Sequence, residues 1–305
     1  MSFIKRIPLA MSALALGLAA LGNLLAPYSP TIRTVCGVLA AIAVLLVALR
    51  IVLDFRSVKK ELANPAALAV TPAFPMALMV LATYLRPVAA APALWLWLAA
   101  LALQIILVVT FVARHVLSFR LEQVLPSWFL VFVGFVVATV TSPAFEMQQI
   151  GVALLYTGLV GYAVILAVVT FRMVRVGALP EPAVPTVAIF AAPPSLCLAG
   201  YLAVTEAKQA GVVYVLLALA GLSLLYVLSR LPRILRSGFH PSFAALTFPL
   251  VISAIALKLS GAYLATSGAG VIPQLAIIAM DLLAVAMVLY VLARYAVFLA
   301  VPATD

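Results

Sequence analysis

Residues 242–265 read SFAALTFPLVISAIALKLSGAYLA, an apolar run carrying a single charge, Lys258, with a proline, Pro249, inside it. A helix crosses a bilayer with roughly 20 mostly apolar residues, so this stretch has the length and composition of a membrane span. The proline removes a backbone hydrogen bond and clashes with the preceding turn, which bends or breaks the helix. In hydrocarbon the freed carbonyl has to face protein or water.

The same composition extends in both directions. Hydrophobic residues make up 67% of the 305 and charged residues 9%, with a mean hydropathy of +1.30. These values exclude an aqueous enzyme. Apolar stretches are read near 4–26, 33–53, 66–85, 92–113, 124–142, 149–171, 186–204, 211–229, 242–265 and 272–299. The expectation is an all-α integral membrane protein of ten transmembrane helices, a single domain over 1–305. The basic pair Lys5 and Arg6 ahead of an apolar run is shaped like a signal peptide, but no cleavage site precedes Pro27, so this is read as the first span.

The net charge of +10 is a topology signal before it is anything else. Lys5, Arg6, Arg50, Arg56, Lys59, Lys60, Arg114, Arg120, Arg172, Arg175, Arg230, Arg233, Arg236 and Arg294 fall on one side of these spans, 14 of 18 basic residues. Arg33, Arg86, Lys208 and Lys258 fall on the other. Both termini are therefore expected in the cytoplasm of a bacterial-type inner membrane. The basic excess points away from nucleic acid and toward anionic lipid or an anionic permeant.

Prolines separate the spans into two classes. The odd ones carry Pro8, Pro72 and Pro75, Pro126, Pro193 and Pro194, and Pro249, whereas the even ones have none well inside. This predicts five helical hairpins, with an inner ring of kinked odd helices forming a pore and an outer ring of even helices facing lipid. Gly17, Gly22, Gly134, Gly200, Ser253 and Gly261 fit that ring by letting backbones approach, and they fit ordinary packing equally.

Chemistry-bearing residues are sparse. Cys36 and Cys197 read as buried small hydrophobes rather than a disulfide. His115 and His240 sit at span boundaries with no ligand partner. No metal site, cofactor loop or catalytic constellation is present. Intramembrane charges are costly, and two stand out: Lys258 and Asp281, at similar depth on adjacent spans, which makes an ion pair plausible. A proton-coupled transporter needs a titratable group on its path, and the odd spans offer almost none. An anion channel instead needs a positive field, which helix N-terminal halves at broken segments supply. Phe248, directly before Pro249, has two readings: a ring that gates a narrow path by occlusion, or one of 15 phenylalanines that packs.

Leu246-Thr247-Phe248-Pro249-Leu250 resembles the TehA tellurite-resistance and C4-dicarboxylate transporter family, which includes the plant slow-type anion channels. Leu125-Pro126-Ser127-Trp128-Phe129-Leu130-Val131-Phe132-Val133-Gly134, Ile7-Pro8-Leu9-Ala10-Met11 and Ala192-Pro193-Pro194-Ser195-Leu196 are similar to it in the same order. The resemblance implies a homotrimer with a pore inside each protomer, five inner helices bent at Pro8, Pro75, Pro126, Pro194 and Pro249, and Phe248 as the plug. It implies a gated channel for small anions, with a proton-coupled transporter of dicarboxylates or oxyanions such as tellurite as the competing function. Neither requires a cofactor.

Overall fold

The computed structural model describes residues 2–301, and these are helical almost throughout, with no β-strand among them. Eight runs among the described residues are long and apolar enough to cross a membrane; two shorter apolar helices, Met11–Leu25 ahead of the first run and Val136–Phe145 among them, accompany these. The protein is thus an integral membrane protein of the all-α class.

The even segments are long and unbroken: α3 (Pro30–Leu53), α7 (Ala90–Phe111), α10 (Gln148–Arg175), α12 (Ala210–Arg236) and α14 (Gln274–Ala300). The shortest has 22 residues, about 33 Å at a 1.5 Å rise, enough for the ~30 Å hydrocarbon core. Only α12 has an interior proline, Pro232, near its C-terminal end.

The odd segments are each assembled from pieces. Short α1 (Ser2–Lys5) precedes α2 (Met11–Leu25), with Pro8 in the gap; α4 (Phe55–Glu61) lies in the loop that follows α3. The third segment joins α5 (Pro65–Val70) to α6 (Ala73–Leu85), and Pro75 stands in the first turn of α6. The fifth joins α8 (Trp128–Val133), two residues after Pro126, to α9 (Val136–Thr141). A 3₁₀-helix, Glu181–Ala191, leads into α11 (Ala192–Val204), whose first turn holds Pro193 and Pro194. Another, Pro241–Leu246, leads through Thr247 into α13 (Phe248–Thr266), with Pro249 in its first turn.

The prolines other than Pro8 and Pro126 therefore open new helices rather than bending continuous ones. Proline is tolerated in a first turn because the N–H it lacks would have no intrahelical partner there. The first segment consequently starts its long helix at Met11 rather than near residue 4, and the loop after α10 contracts to 176–180 because helix resumes at Glu181.

The broken segments form a closed inner ring, in which α2 packs on α6, α6 on α9, α9 on α11, α11 on α13 and α13 back on α2. Each unbroken helix lies outside against neighbouring members of that ring. Burial follows the same division: 94% of the apolar window in Glu181–Val204 is buried, against 22% in α12. Outer helices leave Leu45, Trp95, Val109, Val160, Leu222 and Leu282 exposed. Apolar surface on that scale is a lipid-facing belt.

Close approach within the ring depends on glycine. A methyl group on Gly17 of α2 would lie 2.3 Å from Thr247 Oγ1, and one on Gly22 would lie 2.3 Å from the Tyr84 hydroxyl oxygen.

Candidate functional site: a central cavity bordered by Phe248

The ring encloses space. Its largest central cavity, about 230 Å³, is walled by all five inner segments through Ala20, Val80, Val137, Leu196, Phe248 and Ile252 among others. It lies toward the C-terminal ends of the odd segments and is called the upper cavity. Toward their N-terminal ends is a lower cavity of about 30 Å³, walled by Ala13, Val70, Leu130, Ile189 and Ala245, again one per segment. A third void of about 10 Å³ lies beside Met76, Phe129 and Pro193.

Phe248 borders all three spaces and is itself 4% exposed. Its position is set by the junction of the ninth segment. The Thr247 hydroxyl lies 2.7 Å from Ala244 O in the preceding 3₁₀ turn and 3.0 Å from Ala13 O of α2. One turn on, the Ser253 hydroxyl bonds Pro249 O at 2.8 Å and lies 3.0 Å from Ser195 Oγ of α11. These ties hold the first turn of α13 against both neighbours.

The broken helices also shape the field. Ala10 before α2, Ala192 at the start of α11 and Pro249 at the start of α13 all line the lower cavity. Three α-helices thus begin at the Phe248 level, each with the positive end of its dipole there; the first N–H groups of α2 are already bonded to Pro8, Leu9 and Ala10 O, and Pro193, Pro194 and Pro249 have none to offer. Among the described residues no charged side chain lines that lower cavity.

The upper cavity differs. Its polar lining is Asn23, Thr141 and Lys258. Lys258 lies ten residues beyond Phe248 on α13, about 15 Å along the axis. Lys258 Nζ is 3.2 Å from Asp281 Oδ2 of α14, and their side chains are 29% and 8% exposed. The Tyr28 hydroxyl donates to the same Oδ2 at 3.0 Å, and its ring lies 4.2 Å from Lys258 Nζ. Asp281 Oδ1 is buried without a hydrogen-bond partner.

Two arginines that the sequence reading counted only as topology charges turn out to have local tasks. Arg33 donates from Nε to Asn23 Oδ1 at 3.1 Å and from Nη2 to Thr83 O at 3.3 Å, and its guanidinium covers the Tyr84 ring. Arg50, buried in α3, donates to Ile7 O at 2.6 Å and pairs with Glu61 at 2.5 Å. It satisfies a carbonyl exposed where Pro8 interrupts the first segment, as lipid requires. No pattern in the sequence singles either arginine out. Cys36 and Cys197 are free and buried. His115 packs on Phe111 at 5.2 Å, His240 precedes the Pro241–Leu246 turn, and the described residues contain no group of potential metal ligands.

Residues 6–296 match the model of a family described as voltage-dependent anion channel, SLAC1. No curated protein matches the chain. A match over nearly the whole length, on a ring of broken helices around an apolar central cavity, identifies a multi-pass membrane protein that passes anions: the chain belongs to the SLAC1 voltage-dependent anion channel family, which includes TehA and the plant SLAC1 channels.

Proposed function

We propose that this protein is a gated channel for small anions, with its pore inside each protomer along the axis of the inner ring and Phe248 as the gate. The observation that carries this reading is that one ring, Phe248, borders both the upper and the lower cavity. An apolar ring across a narrow apolar path blocks ions by occlusion and dewetting. The converging N-termini of α2, α11 and α13 supply a positive field there without an intrapore charge. Pro8, Pro75, Pro126, Pro194 and Pro249 set where the segments break.

The proposal extends to ten crossings within a single domain, cytoplasmic termini, residence in a bacterial-type inner membrane and assembly as a homotrimer. The charge asymmetry supports the topology. Enclosure of the cavity by five segments of one chain supports a pore that does not depend on the partners. Proton-coupled transport of dicarboxylates or tellurite is less favoured: Asp281, the buried carboxylate, sits on an outer helix and is engaged by Lys258 and Tyr28.

Ionic current in planar bilayers, wild type against Phe248→Ala in chloride, nitrate and malate gradients, tests the gate. Each 1.36 kcal/mol removed from a barrier is tenfold in rate, so loss of the ring is expected to raise an anion-selective current by about tenfold or more. Silence in both proteins, with pH-dependent malate uptake into liposomes, would replace the channel with the coupled transporter.

A further inference from the structure

We propose that the upper cavity is an anion-binding site: the Lys258 ammonium and the Asn23 carboxamide hold one small monovalent anion there, ahead of the Phe248 constriction. The assignment rests on the anion-path reading and names the ligand class of that path.

Both residues line the same cavity, and among the described residues Lys258 is its one charged lining side chain. An ammonium has three donors. One is directed at Asp281 Oδ2, and Leu24 O stands at 3.5 Å, so donor capacity remains on a side chain that is 29% exposed. The Tyr28 ring beneath Nζ and the Tyr28 hydroxyl on Asp281 hold the ammonium at the wall. Asn23 is oriented by its neighbour: Arg33 Nε has only hydrogens to give, so it fixes Oδ1 as the acceptor and leaves the NH₂ end free of it. That end makes one long contact, 3.4 Å to Thr83 Oγ1, and retains a second N–H.

Size and charge select the occupant. A cavity of about 230 Å³ accommodates a small anion with a few waters, each taking about 30 Å³ of liquid volume. The apolar remainder of the wall strengthens charge-assisted hydrogen bonds inside it. Asp281 already neutralises Lys258, so the pair offers no net charge to offset desolvation in this mostly apolar wall, and that cost, which rises with the square of the charge, falls far harder on a dianion than on a monovalent anion.

The test is equilibrium binding, measured without any current. Purified protein is melted in sodium nitrate against sodium gluconate at equal ionic strength, and in sodium sulfate. Wild type and Lys258→Arg should show saturable stabilisation by nitrate and none by sulfate. Asn23→Ala should need about tenfold more nitrate, the loss expected for one hydrogen bond to a charged group. Asp281→Asn should need less. Lys258→Met/Asp281→Asn, which buries no lone charge, should fold and lose the nitrate effect. A wild type with no saturable nitrate effect, or a double variant that keeps it, overturns the site; sulfate acting as well as nitrate overturns the valence selection. Nitrate binding intact in a protein without current would instead sink the channel reading and leave the site standing.

Discussion

Asp281 and Lys258 have different stakes in their ion pair. Asp281 is almost fully enclosed, with Oδ1 unpartnered, while Lys258 reaches into the upper cavity. Lys258→Ala would strand a buried carboxylate, and breaking a buried pair costs 3–5 kcal/mol in the extreme, so about 2–3 kcal/mol is expected for this part-exposed one. Asp281→Ala leaves an ammonium that keeps the Tyr28 ring and any water in the cavity, so its cost should be smaller. The double change should be milder than Lys258→Ala alone. Melting temperatures of the three variants in one detergent check this order, and a double variant as damaged as Lys258→Ala would show that the two charges act separately. At this scale the sequence was partly informative. Lys258 and Asp281 stood out because charge is rare in a lipid-facing chain, and Phe248 because it precedes a proline. Arg50 and Asn23 did not, since their tasks depend on backbone breaks and on partners 43 and 60 residues away.

At the scale of elements, the odd segments are pairs of shorter helices, and the α2, α11 and α13 starts lie at the level of Phe248. Proline spacing located these breaks in the sequence, but their form was hidden. A kink and a 3₁₀-to-α junction place proline alike, and only the neighbours decide which one forms. The junction before α13 depends on how closely α2 approaches it, and that depends on Gly17. A methyl group there meets Thr247 Oγ1 at 2.3 Å and Phe248 N at 3.2 Å. Because the Thr247 hydroxyl is tied to Ala13 O and Ala244 O, relief requires α2 and the Phe248 turn to separate. Gly17→Ala should therefore destabilise by about 1–3 kcal/mol, the usual cost of overpacking, and, on the proposed gating role of Phe248, should also alter the current by moving that ring. Gly221 of α12, where a methyl group meets nothing within 4 Å, is the matched control. Its change to alanine removes a helix penalty of up to about 1 kcal/mol, so Gly221→Ala should be neutral or stabilising. Equal losses in the two variants would mean that the α2–α13 contact has no special role.

For the whole molecule, the division into a buried inner ring and an exposed outer one follows from what each layer meets. Outer helices face hydrocarbon and need only length and apolarity, which is why uninterrupted runs in the sequence predicted them well. Inner segments face one another and a cavity, so they tolerate breaks that lipid forbids, and their ends were the boundaries the apolar runs misplaced. The orientation of this assembly rests on the distribution of basic residues alone. It has a direct consequence for α12, whose 27 residues extend about 40 Å from Gln209 to Ser237. Glu206 and Gly238, both exposed, should lie on opposite sides of the bilayer. Cys36 and Cys197 are buried, so the native thiols should give little background with a membrane-impermeant maleimide. Glu206→Cys should then be labelled in intact cells, and Gly238→Cys only after permeabilisation. The opposite pattern would invert the protein, placing the lower cavity and its converging helix N-termini outside and the Lys258 vestibule in the cytoplasm. Labelling of both from outside would mean that α12 does not cross, and a ring of five hairpins would no longer fit the chain.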